Sequence, residues 1–258
     1  MKRLLVVSLR GGCGSTTVTA NLAQSLVKIN KPVLAIDVSA ENLLRLHFGT
    51  PYDENDGWAV RMMGGTLWNE AGFSSPQGVD FLPYGQSNEI LHQSFTQTNN
   101  QPINDLNQGL LSVFEPSQWQ LFHGEFWQIS TPVWQDFIAS MDMIFVVIKA
   151  DAMNYAVLQS LFEHNHVLRE LMDNDKIRFI LNQYQPETEI GRDLALVLKQ
   201  ELKTLLVPVL MHQDTALIEC AANLTTIQHY SPISQAAKDY QALAFWCVSA
   251  FSSSAEQG

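Results

Sequence analysis

The sequence predicts an α/β fold in three layers, with a mostly parallel central sheet and helices on both faces. Three observations carry that prediction. A glycine-rich turn, Arg10-Gly11-Gly12-Cys13-Gly14-Ser15-Thr16-Thr17, follows the apolar run Leu4-Leu5-Val6-Val7 and opens an amphipathic segment, Val18 to Ile29. A second apolar run, Val33-Leu34-Ala35-Ile36, follows the break at Lys31-Pro32 and ends on Asp37. Strand, turn, helix and strand then form one βαβ unit, right-handed by the usual rule. Further short apolar runs alternate with helical patterns along the rest of the chain, as in a parallel sheet covered on both sides.

Leu4–Ser8 reads as a buried parallel strand, being short, continuous, apolar and ended by glycines. Val18, Leu22 and Leu26, at steps of four, give the next helix an apolar stripe to lay against a sheet. Five later runs read as strands: Val79–Pro83, Trp119–Phe122, Met143–Ile148, Ile177–Leu181 and Leu205–Val209. Tyr155–Met172 reads as one helix with Leu158, Leu161, Phe162, Leu168 and Leu171 on a face. Ser231-Pro232 is a start signal for the last helix, because Ser caps and Pro suits the first turn. That helix would bury Ala236, Ala237, Tyr240, Leu243, Ala244, Cys247 and Phe251. The Asn- and Gln-rich stretch 86–108 is expected to be an exposed loop with some helix. Residues 1–251 are expected to form a single domain and 252–258 a disordered tail.

At 258 residues and 46% hydrophobic content, one sizeable core is expected. Net charge is −11. Between Pro51 and Ile148 the only Lys or Arg is Arg61, against eleven carboxylates from Asp53 to Asp142. Nucleic-acid binding needs a basic footprint, so this stretch argues against it and reads as a solvated acidic surface. Cys13, Cys220 and Cys247 are scattered with no CxxC pair, which suggests a reduced compartment and no structural metal. The apolar segment after Met1-Lys2-Arg3 is too short for a signal peptide, and no stretch approaches the roughly 18 apolar residues of a membrane span. A soluble, cytoplasmic protein is expected.

The turn between strand and helix points several backbone N–H groups at one spot beside the positive end of the helix dipole. That is an anion cradle, and the anion is usually a nucleotide phosphate; the bland reading is a tight strand-to-helix connection. The usual lysine is missing, because Ser15 stands before Thr16. Thr16 is placed to coordinate Mg²⁺ through its hydroxyl or simply to cap the helix. Cys13 reads as a small residue packed among glycines. His164 and His166, two apart on a helix, diverge by about 200° and cannot chelate one metal. The tryptophans at 58, 68, 119, 127, 134 and 246 read mostly as core or interface.

The RGGxGxTT turn, the strand ending in Asp37, VDFLPYG at 79–85, FILNQYQP at 179–186 and VPVLMHQDTALIECA at 207–221 together resemble the deviant P-loop ATPases of the MinD/ParA type. Within that family the chain is similar to the cellulose-biosynthesis proteins of the BcsQ (YhjQ) group. The similarity rests on the Arg-Gly-Gly turn without the lysine, ENLLRLHF at 41–48, GWA at 57–59, LPYGQ at 82–86 and LMHQD at 210–214. The resemblance implies a P-loop NTPase fold and a site for ATP or ADP with Mg²⁺. Arg10, Gly11, Gly12, Cys13, Gly14, Ser15, Thr16 and Thr17 would surround the phosphates, with Arg10 in place of a lysine that crosses a nucleotide-sandwiched homodimer. Asn182 would contact adenine, Pro208 and Val209 would line the other side of the base, and Asp37 would organise Mg²⁺-bound water.

The same resemblance exposes three departures. Ser15 replaces the P-loop lysine, and Ser39 stands where a second Asp orients the attacking water. The Asp closing the Walker B strand is replaced by His123 if Trp119–Phe122 is that strand, or by Ser130 if Phe126–Ile129 is. Glu125 is the nearest substitute. Phosphoryl transfer depends on positioned charges, and each lost electrostatic group is worth about 2.7–4 kcal/mol, so hydrolysis is expected to be slow or absent. The expected function is that of a nucleotide-binding regulatory or scaffolding protein of bacterial cellulose biosynthesis and secretion. It would act as a dimer among the other secretion proteins and the cellulose synthase complex, reaching the inner membrane only through them. Two other readings compete: an active ATPase that positions cargo on membrane or DNA, and a nucleotide-free protein-interaction module. The tail after Phe251, SSSAEQG, lacks the basic amphipathic helix that membrane-binding relatives carry.

Overall fold

A computed structural model describes residues 1–86, 101–112 and 115–253. Its seven strands are β1 (Lys2–Ser8), β2 (Val33–Asp37), β3 (Phe73–Ser74), β4 (Asp80–Leu82), β5 (Trp119–Glu125), β6 (Met143–Ile148) and β7 (Ile177–Leu181). They form one sheet in the order β3-β4-β2-β5-β1-β6-β7. Every pairing is parallel except β3 with β4. The helices are α1 (Ser15–Lys28), α2 (Trp58–Met63), α3 (Gln101–Ser112), α4 (Gln135–Ala139), α5 (Ala152–His164), α6 (His166–Asp173), α7 (Glu189–Leu202), α8 (Thr215–Ala222), α9 (Ile227–Tyr230) and α10 (Gln235–Ser253).

Alternation along the strands builds the two sides of the sheet. Leu4 and Val6 of β1 enter one core with Val18, Leu22 and Leu26 of α1, while Leu5 and Val7 enter the other. Met143, Phe145 and Val147 of β6 likewise join the first core, and Ile144, Val146 and Ile148 the second. A strand buried on both faces needs this continuous apolar run. The predicted face of α10, from Ala236 to Phe251, packs wholly into the first core. The second core takes Leu158 of α5, Leu168 of α6 and Leu198 of α7. The sheet is therefore sandwiched between two helical layers, as expected.

Several elements differ from expectation. The segment read as one helix over Tyr155–Met172 is two, because Asn165 adopts φ −98° and ψ 99° and its side chain caps α6 by accepting from the Leu168 N–H. The break removes the helical geometry assumed for His164 and His166, which are both exposed on different helices. The last helix begins at Gln235 rather than after Ser231: residues 231–234 form a turn, and Ser234 Oγ accepts from the Ala237 N–H. Leu205–Val209 is not a full strand. Leu206 makes an isolated parallel bridge to Phe179, and the Val207 N–H donates to the Phe179 carbonyl, so this stretch lies along β7 with little pairing. Within 86–108, residues from Gln101 onward are α3, and 87–100 lie outside the described residues. Helix α10 runs to Ser253, two residues past the boundary expected at 251, and 254–258 lie outside the described residues.

Among the described residues no helix is long and apolar enough to cross a membrane.

Candidate functional site

The carboxyl ends of β2, β5 and β1 lie side by side, and the glycine turn leaves β1 at that edge. The register pairs Asp37 with His123 and Ser8 with Glu125. Such an edge is where open parallel sheets bind ligands. Of the two candidate strands, Trp119–Phe122 lies in β5, which continues through His123 to Glu125, whereas Phe126–Ser130 is a 3-10 helix. Ser130 is exposed there and accepts a hydrogen bond from Asn165 Nδ2 rather than closing a strand.

The turn has the backbone of a phosphate cradle. Gly12 and Gly14 have φ of 80° and 97°, a region that L side chains avoid. A Cβ on Gly14 would also lie 2.7 Å from Asn182 Nδ2. Gly14 is the N-cap of α1 and offers no side-chain acceptor, so the first turn of the helix keeps free N–H groups at its positive end. Two side chains beyond β7 brace the loop from outside. Asn182 Nδ2 donates to the Cys13 carbonyl at 2.8 Å and Gln183 Nε2 to the Gly12 carbonyl at 3.1 Å. Asn182 is 3% exposed, and its Oδ1 has no partner among the described residues. Cys13 is buried against Asn154, with its Sγ donating to Oδ1 at 3.2 Å; burial raises the thiol pKa, which fits a packing role. Arg10 is half-buried, and Gly11 and Gly12 are exposed.

Beneath the cradle runs a hydrogen-bonded chain that starts at the centre of the sheet. His123 is 3% exposed and Asp37 fully buried, with Nδ1 and Oδ1 2.9 Å apart. Asp37 Oδ1 also accepts the Ser39 N–H at 3.1 Å, and Oδ2 accepts the Leu44 N–H at 3.1 Å. With Nδ1–H donating to a carboxylate, the other ring nitrogen faces the turn. There Nε2 lies 3.1 Å from Thr16 Oγ1 and 3.2 Å from Ser15 Oγ. Ser15 points down into the sheet, where its Oγ also meets Ser8 Oγ at 2.9 Å and its N–H donates to the same oxygen at 3.0 Å. Ser39 Oγ donates to Glu125 Oε1, and Glu125 in turn caps the 3-10 helix.

The predicted residues therefore meet only in part. The turn, Asp37, His123 and Asn182 converge. Pro208 is exposed and lines a separate pocket of about 420 Å³ with Tyr184, Arg192, Lys199 and Lys203, to which neither the turn nor Asn182 contributes. Val209 faces the first core. Ser8, Gln183 and Asn154 were not foreseen as partners of the turn. Ser8, as the polar end of an apolar strand, carried a faint signal, whereas nothing local marks the other two.

The site fits a phosphate group through a helix N-terminus and two left-handed glycines, with the hydroxyl of half-buried Thr16 turned to His123. It does not fit Mg²⁺ in the same way. The ion is usually bound through one or two carboxylates. The oxygens of Asp37 accept from Ser39, Leu44 and His123, an imidazole stands beside Asp37 in the register, and Glu125 at the end of β5 accepts from Ser39 Oγ.

The family model for cellulose biosynthesis protein BcsQ matches residues 1–248. The chain belongs to the BcsQ family. It is 28% identical over 240 residues to the cellulose biosynthesis protein BcsQ of Escherichia coli (strain K12), covering 93% of this chain and 91% of that protein. Against the BcsQ of Salmonella typhi the identity is 30% over 247 residues, with the same coverages of 93% and 91%. Among solved structures it is similar to the septum site-determining protein MinD complexed with Mg-ADP from Pyrococcus horikoshii OT3. There the TM-score is 0.69 at 20% identity, and 94% of each chain is covered. The BcsQ-family chain thus has the MinD/ParA-type P-loop fold, as its motifs implied.

Proposed function

We propose that this BcsQ-family chain binds an adenine nucleotide, ADP or ATP, and serves bacterial cellulose biosynthesis and secretion through its bound state rather than through turnover. The observation that carries this reading is the pairing of an intact phosphate cradle with catalytic positions tied up in structure. Gly12, Gly14 and the first turn of α1 keep a shape suited to phosphate. The unpartnered Asn182 Oδ1 is an acceptor suited to the exocyclic amine of adenine.

Hydrolysis needs a group to orient water and charges to neutralise the transition state. Ser39 carries no charge and hydrogen-bonds to Glu125, while an imidazole, His123, stands beside Asp37. Two such losses, at about 2.7–4 kcal/mol each, leave little catalysis to detect. The nucleotide would then act as a structural ligand.

A homodimer closing over this edge is part of the proposal. Leu43, Trp127 and Met153 follow β2, β5 and β6, so they flank the turn after β1 along the same edge. They are 43%, 52% and 60% exposed. Arg10 could then cross to a partner's phosphates and bind them with its planar fork. Other secretion proteins and the cellulose synthase complex are the proposed partners, and recruitment to the membrane would run through them.

Isothermal titration with ADP and with a slowly hydrolysed ATP analogue, beside a phosphate-release assay, tests this reading. Both nucleotides are expected to bind while ATP is not turned over. Turnover at the rate of active MinD-type enzymes would overturn the regulatory part. Absence of any binding heat would leave the interaction-module alternative.

A further inference from the structure

The site departs from its fold relatives at the metal. The relative from Pyrococcus horikoshii is complexed with Mg-ADP. Mg²⁺ demands a near-octahedral shell of oxygens at about 2.0–2.1 Å, keeps several waters, and is usually bound through one or two carboxylates plus substrate phosphates. Imidazole nitrogen suits softer metals than this.

In this chain the nearby carboxylates are engaged in the fold. Asp37 Oδ1 takes the Ser39 N–H and His123 Nδ1, and Oδ2 takes the Leu44 N–H, all in a side chain with no exposure. Glu125 receives Ser39 Oγ and the backbone N–H at the third position of its 3-10 helix. The Thr16 hydroxyl, which the motif places for the ion, meets His123 Nε2 at 3.1 Å. Ser15 Oγ meets the same nitrogen at 3.2 Å. Among the described residues no three His, Cys, Asp or Glu side chains gather as a metal site.

Resting on the nucleotide reading above, we infer that this protein binds its nucleotide without Mg²⁺. His123 holds the Thr16 and Ser15 hydroxyls from beneath the loop, so an imidazole and not a carboxylate stands next to them. The phosphates are then held by backbone N–H groups and, in a dimer, by Arg10, while the Thr16 and Ser15 hydroxyls stay turned to His123. Nucleotide binding is thereby uncoupled from the ion that phosphoryl transfer needs.

The test is isothermal titration of ADP into the full chain, once in excess Mg²⁺ and once in excess EDTA. The expected Kd in EDTA equals that in Mg²⁺ within about threefold, or is tighter. Thr16→Ala is expected to change ADP affinity by the same factor in both buffers. His123→Asp places a carboxylate beneath the turn, and Mg²⁺ should then tighten ADP by about tenfold or more. The inference is overturned if wild-type ADP is at least about tenfold weaker in EDTA. It is also overturned if the Thr16→Ala change appears only with Mg²⁺, or if folded His123→Asp shows the wild-type ratio. The wild-type and Thr16→Ala comparisons decide the matter even if His123→Asp does not fold. Binding that requires Mg²⁺ sinks this inference alone, whereas no binding in either buffer sinks it together with the nucleotide reading.

Discussion

Two buried histidines lie near the turn, and their surroundings give them different duties. His123 has partners on both ring nitrogens, Asp37 on one side and the two hydroxyls on the other. His47, in the 3-10 helix Leu44–Phe48, is 4% exposed, and its Nδ1 has no partner among the described residues. Burial lowers the His47 pKa from 6.5 to about 4; a hydrogen bond with the Thr225 backbone opposes the shift, and nearby His123 adds to it. The unfolded chain therefore takes up a proton near 6.5, while the folded chain resists until about 4. Stability is complete above the unfolded value and is lost as pH falls through that window, by about 3 kcal/mol in total. Urea unfolding at pH about 7 and about 4.5 should show this loss in the wild type, and a shallower one in His47→Gln. Equal losses in the two proteins would rule His47 out as the source. From the sequence, His123 could be read as a missing acid, since it follows the run Trp119–Phe122. Its contact with Thr16, 107 residues away, needed the sheet order.

At the scale of elements, periodic segments were the readable ones. β6 and β7 have the predicted bounds, and the buried face of α10 is the predicted one, because continuous apolar runs and steps of three and four leave few alternatives. The α5–α6 break was not readable, since the apolar stripe continues across Asn165 and only the cap it makes for Leu168 interrupts the helix. Pro208 shows a different limit. Its position in a family motif suggested the base, yet its pocket lies between α7 and the stretch running beside β7. The 3-10 helix after β5 offers a test of its own. Trp127 is half exposed and meets Trp134 edge to face at 6.0 Å, while Trp134 is buried and continues to Phe137. Trp127→Ala should change monomer stability by only about 0.5 kcal/mol, since Trp134 keeps its contact with the core. If the carboxyl edge is the dimer face, the same variant should lower the mass of the ATP-analogue-loaded protein from dimer to monomer in light scattering. A variant that stays fully dimeric would move the interface elsewhere.

Over the whole molecule, the sheet order does what no local motif can. β5 inserts between β1 and β2, although it follows β2 by more than eighty residues, and so delivers His123 beneath the turn beside Asp37. Asn182 reaches the turn from the other direction, at the end of β7, so the loop is braced by segments far apart in the chain. A ligand seated there would touch α1, both central strands and the β7 connection at once, and would favour the native state of the whole domain. At an ADP concentration about a hundredfold above Kd, linkage gives about 2.7 kcal/mol of added stability. For a chain of this size that corresponds to a rise in Tm of about 5 °C. Differential scanning calorimetry should show the rise with ADP and not with adenosine, which lacks the phosphates that the turn is shaped to hold. An equal rise with adenosine would place the binding energy in the base pocket and leave the glycine turn as a plain connection between strand and helix.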